Sequence, residues 1–290
     1  MATVAQWMAG ARVRTLPNSV SPVLVGAGAA VAIDGFVWWQ SLLALVVALA
    51  FQVGVNYAND YSDGIRGTDA DRVGPLRLVG SGLVPPGSVR TAAFACFGLA
   101  CLAGLGLVIA SGKWWLIAVG VLSVLGAWFY TGGKNPYGYL GFGELAVFLF
   151  FGPVPTLGTL YVQTGQISWL GVVASIALGS FSAAVLAANN TRDLPTDRES
   201  GKRTMAVRLG DRGARILYSV LALAPFAITI GLAFISPWLL LGLLAAPKVV
   251  PAVCTVLSGG TGPALIPVLK DTALAMLIWA VATTVGAVLS

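Results

Sequence analysis

"SLLALVVALAFQVGVNYANDYSDGIRGTD", residues 41–69, decides how the chain is read. It opens on a continuous apolar run and closes on three aspartates, Asp60, Asp63 and Asp69, set beside Asn56 and Asn59. The whole chain of 290 residues is 57% hydrophobic and only 10% charged, with a mean hydropathy of +0.87. Soluble domains are about 25% charged, so this composition points to an integral membrane protein. A hydrocarbon core about 30 Å thick needs roughly 20 apolar residues per helix. Backbone groups find no water there, which leaves helices or a closed barrel as spanning structures. The runs are long, rich in Leu, Ala, Val and Gly, and lack strict alternation, which chooses helices. The expected fold is therefore all-α and polytopic, with one membrane domain over residues 1–290.

Nine spans are expected: 17–34, 37–57, 89–111, 114–131, 141–163, 168–189, 214–235, 237–257 and 271–289. Lys248 and Pro251 interrupt the eighth, marking it as the weakest. Arg12 and Arg14 before the first span, with Ala30-Val31-Ala32 inside it, resemble a signal peptide. Polar Asn18 and Ser19 do not suit such a segment, and the span completes a regular series. Lys and Arg gather at the amino terminus and after spans two, four, six and eight, with Lys113 on the other side. The positive-inside rule then places the amino terminus and those loops in the cytoplasm, and the carboxyl terminus outside. Trp38, Trp39, Trp114, Trp115, Trp169 and Trp238 occupy the outer turns and read as interfacial anchors. The net charge of +6 is explained by this membrane pattern, and no nucleic-acid partner is expected. Cys96, Cys101 and Cys254 lie in or beside apolar segments at no metal-binding spacing. With no histidine in the chain, imidazole catalysis and His-ligated metal are excluded.

A second polar stretch, "NNTRDLPTDRESGKRT" (189–204), rhymes with the first. Each sets an Asn four residues before an Asp: Asn59 with Asp63, and Asn189 with Asp193. If the preceding span continues through the motif as a helix, the paired side chains share a face. Asp197 extends the second row, although Pro195 can end the helix first. Seven of the eleven acids fall in these two cytoplasmic loops. Carboxylates packed so densely repel unless a cation joins them. Their oxygens, with the amides, are hard ligands suited to Mg²⁺, which commonly bridges to phosphate. Arg66, Arg72, Arg77, Lys202 and Arg203 follow directly and suit anionic oxygens. Solvated polar loops would be the plain alternative, but they would scatter charge rather than repeat a spacing at two helix ends. An ion-coupled transporter also uses intramembrane acids and repeats. Here the acids sit at the membrane boundary and no span carries a carboxylate near its middle; Glu144 comes closest.

Together these motifs resemble the UbiA superfamily of intramembrane prenyltransferases, a helical bundle with two aspartate-rich cytoplasmic loops. Its first motif, Asn-Asp-x2-Asp-x3-Asp, is matched at Asn59, Asp60 and Asp63, with Gly67 at the last position. Its second, Asp-x3-Asp, is complete at Asp193 and Asp197. "ARVRTLPNSVSPVLVGAG", "NDYSDGIRGTDADRVGPLRLVGSGLV", "YTGGKNPYGYLGFGELAVFLFFG" and "NNTRDLPTDRESGKRTMAVRLG" resemble the branch that prenylates 1,4-dihydroxy-2-naphthoate in menaquinone synthesis. In that branch Asp-Gly-x2-Gly-x-Asp is common, so Asp69 stands in for the missing acid, and Glu144 replaces a shorter one. CDP-alcohol phosphotransferases differ, because Asp63-Gly64 leads here to Gly67-Thr68 rather than Ala-Arg.

The resemblance implies a bacterial plasma-membrane enzyme whose substrates are polyprenyl diphosphate and an aromatic acceptor, and whose cofactor is Mg²⁺. It implies metal contacts from Asn59, Asp60, Asp63, Asp69, Asn189, Asp193 and Asp197. Arg66, Lys134, Asn190, Lys202 and Arg203 become candidates for binding substrate. Tyr130 and Tyr137, with Tyr61 and Trp128, become candidates for stabilising an allylic cation. Attack at the carboxyl-bearing ring carbon with loss of CO₂ would give demethylmenaquinone; another aromatic acceptor is the alternative within the superfamily. Arg12, Arg14 and Lys270 could meet the acceptor carboxylate, though juxtamembrane anchoring is the expectation for them. Glycine-assisted packing occurs within and between subunits, so the 36 glycines assign no oligomeric state.

Overall fold

The structure is a computed structural model that describes residues 2–67 and 76–290. Helices carry the fold. They are α1 (Val4–Ala11), α2 (Pro17–Val31), α3 (Trp38–Arg66), α4 (Pro86–Ser111), α5 (Leu116–Phe129) and α6 (Gly143–Phe151). There follow α7 (Pro153–Thr164), α8 (Trp169–Arg192), α9 (Leu194–Glu199), α10 (Met205–Leu232), α11 (Ala246–Leu257) and α12 (Leu265–Val288). No strand occurs among the described residues.

Among the described residues, seven segments are long and apolar enough to cross a membrane. Five are single helices or a helix with its leading turn: α3, α4, α8, α10 and Gly262–Val288. The other two are α6 with α7, and Pro237–Leu257, where a 3-10 run over Pro237–Ala245 leads into α11. Of the nine expected spans, the first and fourth are shorter than that. Helix α2 has 15 residues and α5 has 14, lengths of about 23 and 21 Å at 1.5 Å per residue.

Several boundaries move for visible reasons. Expected span 37–57 runs on as helix to Arg66, so the first acid motif lies on the last turns of α3 rather than in a loop. The helix stops at Gly67, whose φ of 71° suits glycine and few other residues. That conformation accounts for the glycine standing where the family motif has its last Asp. The second motif likewise begins on α8, with Asp193 at its carboxyl-terminal cap and Asp197 on α9. Pro195 does not end the row, because it sits in the first turn of α9, where a missing N–H is harmless. Expected span 141–163 is broken at Gly152-Pro153, with Gly152 at φ −120° and ψ −92°.

Helix α8 lies at the centre; 67% of its apolar window is buried inside the molecule, more than in any other span. Its Phe181 packs in the core with Trp279, Met276 and Tyr218 from α12 and α10. Two polar contacts lock that core: Trp279 Nε1 donates to Thr229 Oγ1 at 2.7 Å, and Tyr218 Oη lies 2.8 Å from Thr272 Oγ1. The six outer-turn tryptophans are all exposed, as anchors at an interface are. Helices α3 and α8 both start at such tryptophans and end in the acid motifs, so the bundle has one aromatic end and one acidic end.

Candidate active site

A cavity of about 1210 Å³ opens at the acidic end and runs between α3, α5, α7 and α8. Its deeper walls are apolar, with Val121 and Val124 of α5, Leu105 and Val108 of α4, and Phe150 and Val162 of α6 and α7. Its polar pole carries six basic side chains against four aspartates. A positive balance of that kind suits a multiply charged anion.

The two motifs meet there from opposite sides. From α3 come Asn59 and Asp63, one helical turn apart; from α8 come Asn189 and Asp193, and from α9 Asp197. Arg192 draws the second group together. Its guanidinium donates to both Asp193 oxygens, at 2.7 and 2.8 Å, and to Asn189 Oδ1 at 2.9 Å. Arg77 approaches Asp63 at 3.4 Å, and Lys202 lies 3.7 Å from Asp197. Tyr139 joins the two sides: its hydroxyl donates to Asp63, while Lys202 Nζ stands 4.6 Å from its ring centre. Sequence reasoning passed over Tyr139 and Arg192. The repeated Asn-x3-Asp spacing does point to Arg192, since it stands inside the second motif.

Asp60 is placed differently. Its two oxygens accept the backbone N–H groups of Leu78, at 2.7 Å, and Val79, at 3.1 Å. Buried at the end of α3, it fastens the returning segment to the helix and so sets Arg77 beside Asp63. Asn59 accepts a hydrogen bond from Thr131 Oγ1 at 2.8 Å while still lining the cavity. Asp69 falls outside the described residues.

Of the cations expected at the diphosphate, Lys202 lines the cavity. Arg66 instead donates to the carbonyl oxygens of Thr131 and Gly133, and Lys134 and Arg203 are exposed away from the lining. Arg12, Arg14 and Lys270, expected as juxtamembrane anchors, also line the cavity. Burial, with Arg192 nearby, lowers Arg14 from the ordinary arginine value.

Tyr130 and Tyr137 line the cavity as expected, edge to face with ring centres 5.6 Å apart. Burial pushes the Tyr137 phenol up to about 12. Burial, with Glu144 and then Tyr137 close by, moves Tyr130 further in the same direction. Both are therefore neutral phenols at physiological pH. Tyr61 and Trp128 stack on each other, 6.1 Å apart, outside the cavity lining.

The residues can be tested for Mg²⁺ by their chemistry. The donors are hard carboxylate and amide oxygens, as the ion prefers. Among the described residues no group of three acidic side chains could hold one ion by itself. The set therefore fits Mg²⁺ only in its usual manner, with one or two carboxylates per ion and the remaining positions filled by water and phosphate.

A membrane bundle whose apolar cavity ends in opposed acids and fixed cations is the construction of an enzyme for a lipid diphosphate. The chain belongs to the UbiA prenyltransferase family, whose sequence model matches residues 19–257. The 1,4-dihydroxy-2-naphthoate octaprenyltransferase of Mycobacterium tuberculosis is 56% identical over 282 residues, covering 97% of this chain and 96% of that protein. The Escherichia coli protein of the same name is 36% identical, covering 92% and 89%. A UbiA homolog from Aeropyrum pernix K1 superposes with a TM-score of 0.72 at 15% identity, over 92% of this chain and 97% of that one. A UbiA homolog from Archaeoglobus fulgidus bound to DMAPP and Mg²⁺ gives 0.64 at 14% identity, over 97% and 99%. These two establish the fold.

Proposed function

We infer that this enzyme transfers a polyprenyl chain from polyprenyl diphosphate to 1,4-dihydroxy-2-naphthoate, releasing diphosphate and CO₂ and giving demethylmenaquinone. The observation that carries this reading is a continuous cavity that joins an acid-and-base pole to an apolar channel. The naphthoate assignment draws on the names of the relatives, which match along almost the whole chain.

The polar pole receives the diphosphate and the apolar walls receive the tail. Mg²⁺, when held at this pole, would supply positive charge to the departing oxygens. Asp63, Asp193 and Asp197, with Asn59 and Asn189, are the oxygen donors placed to hold it, and Asp60 supports them from behind. Arg77, Arg192 and Lys202 add fixed cations that need no rearrangement as charge grows. The donor's C1–O bond breaks with its electron pair going to the diphosphate. The ring carbon bearing the carboxylate then bonds to C1, and the bond to CO₂ breaks, its electrons restoring the aromatic ring. No ring proton has to be removed, in keeping with a chain without histidine. Tyr130 and Tyr137 offer neutral ring faces to the cationic carbon. The surrounding bundle keeps water from capturing it.

The protein crosses the membrane several times. In the proposed arrangement the two shorter helices α2 and α5 also cross, the acidic end faces the cytoplasm and the carboxyl terminus lies outside, in the plasma membrane of a bacterium. The deciding assay offers dihydroxynaphthoate with labelled carboxylate, 4-hydroxybenzoate and homogentisate to membranes containing the protein. Prenylation of the naphthoate with release of label is expected; prenylation of another acceptor alone would replace this reading.

A further inference from the structure

Beside the diphosphate pole stands an acid that the reaction above leaves unused. Glu144 occupies the first turn of α6, 6% exposed. Its Oε1 accepts from Nδ2 of Asn190 at 2.9 Å. Its Oε2 is buried and has no hydrogen-bond partner among the described residues. A buried carboxylate is retained at a cost unless hydrogen bonds meet it. The unbonded N–H groups of the first helical turn favour a negative charge at this position.

The contact fixes which way the Asn190 amide points. An amide has a donating and an accepting end, and here the donating end faces Glu144 Oε1. With Nδ2 given to Glu144, Oδ1 is left for the cavity that Asn190 lines. No protein donor reaches that oxygen among the described residues. A carbonyl oxygen presented this way repels diphosphate oxygens and accepts from a hydroxyl. The pair is confined on both sides. An added Cβ on Gly143 would lie 3.2 Å from Tyr130 Oη and 3.3 Å from Leu186 Cδ2, one turn before Asn190 on α8.

We propose that Glu144 is a positioning residue that orients Asn190, and that Asn190 Oδ1 accepts a hydrogen bond from a phenolic hydroxyl of the aromatic acceptor. The inference rests on the acceptor reading above and adds a recognition element for the ring hydroxyls, separate from the recognition of its carboxylate. A site built to meet a hydroxyl disfavours an analogue that lacks the donor, because its own accepting oxygen is left unpaired.

The test is equilibrium binding to the full-length protein in detergent. Inorganic diphosphate and Mg²⁺ replace the prenyl donor, so no chemistry follows. Dihydroxynaphthoate is compared with its dimethyl ether. The wild type should prefer the hydroxylated compound by about tenfold, the scale of one hydrogen bond to a buried acceptor. Glu144→Ala and Asn190→Leu should lose most of that preference while still binding inorganic diphosphate. Glu144→Gln, which keeps an accepting oxygen and the shape, should retain most of it. Retention of the preference in both Glu144→Ala and Asn190→Leu overturns the proposal. So does its complete loss in Glu144→Gln, or weakened diphosphate binding in either truncation, which would place Asn190 at the metal. Failure of the wild type to prenylate dihydroxynaphthoate is a separate result and removes the acceptor reading itself.

Discussion

The two acid motifs share a spacing and differ in what their side chains are given to. On α8, Asn189 and Asp193 are gathered by Arg192 into a preassembled group facing the cavity. On α3, Asp63 faces the cavity in the same way, but its neighbour Asp60 is spent on two backbone N–H groups. A sequence repeat thus encodes one cavity-facing row twice, with a structural fastener beside it once. The difference follows from chain path. Asp60 holds Leu78 and Val79 against α3 and so sets Arg77 beside Asp63, whereas α8 continues almost directly into α9.

The strongest attack on this comparison removes one cavity-facing acid from each side. Asp63→Ala and Asp193→Ala should each lower prenyl transfer by about 10²–10³-fold or more, as loss of a main electrostatic contact does. Membrane insertion should be unchanged. Normal turnover in either variant would show that only one motif serves the diphosphate.

Asp60→Ala should act mainly on the fold. Hydrogen bonds to a charged group contribute about 1.5–3 kcal/mol each, so losing two should lower the melting temperature in detergent by several degrees. The Mg²⁺ concentration for half-maximal activity should stay near wild type. A large shift in that concentration would make Asp60 the equal of Asp63 and erase the asymmetry.

The cations sharpen the contrast further. Arg77→Gln and Arg192→Gln should raise KM for the prenyl diphosphate about tenfold, since each removes a charge-assisted contact near the leaving group. Lys134→Gln and Arg203→Gln should change it by about twofold or less, as exposed charges usually do. An effect between those two is expected for Tyr139→Phe, which removes the hydroxyl from Asp63 and keeps the ring under Lys202. A fall in kcat of about threefold to tenfold is expected, the scale of one hydrogen bond.

Much of this was legible in the residues. Hydropathy exposed the helical bundle, and the Asn-x3-Asp spacing placed Asn59 with Asp63 and Asn189 with Asp193 on shared faces. The lengths of α2 and α5 were less legible, because apolar residues flanking a span look the same in sequence whether they continue the helix or turn. Arg66, Lys134 and Arg203 looked suitable through nearness in the chain, yet the helix end at Gly67 and the paths of the following segments turn them elsewhere. Arg12 and Arg14 differ in the opposite sense. A basic amino terminus carries the positive-inside signal wherever its side chains finally point, and here they are also among the residues lining the cavity. Tyr139 could not be found from spacing, since it is brought to both motifs by tertiary folding alone.

The break at Gly152-Pro153 has a consequence for the shape of the substrates this scaffold can admit. A Cβ on Gly152 would lie 2.5 Å from Gly179 Cα, and one on Gly179 would lie 2.7 Å from the Phe148 carbonyl oxygen. On that side, then, the α6–α7 break is pressed against α8 main chain to main chain, which holds in place the backbone that carries the wall residues Phe150, Phe151 and Val154. Across from it, α5 contributes side chains from Leu116 to Ala127 and leaves many of its other atoms exposed. One wall is a rigid rule and the other an adjustable one. Exchanging a valine or leucine on α5 is the route by which a lineage could fit a longer or bulkier tail while leaving the glycine seam untouched.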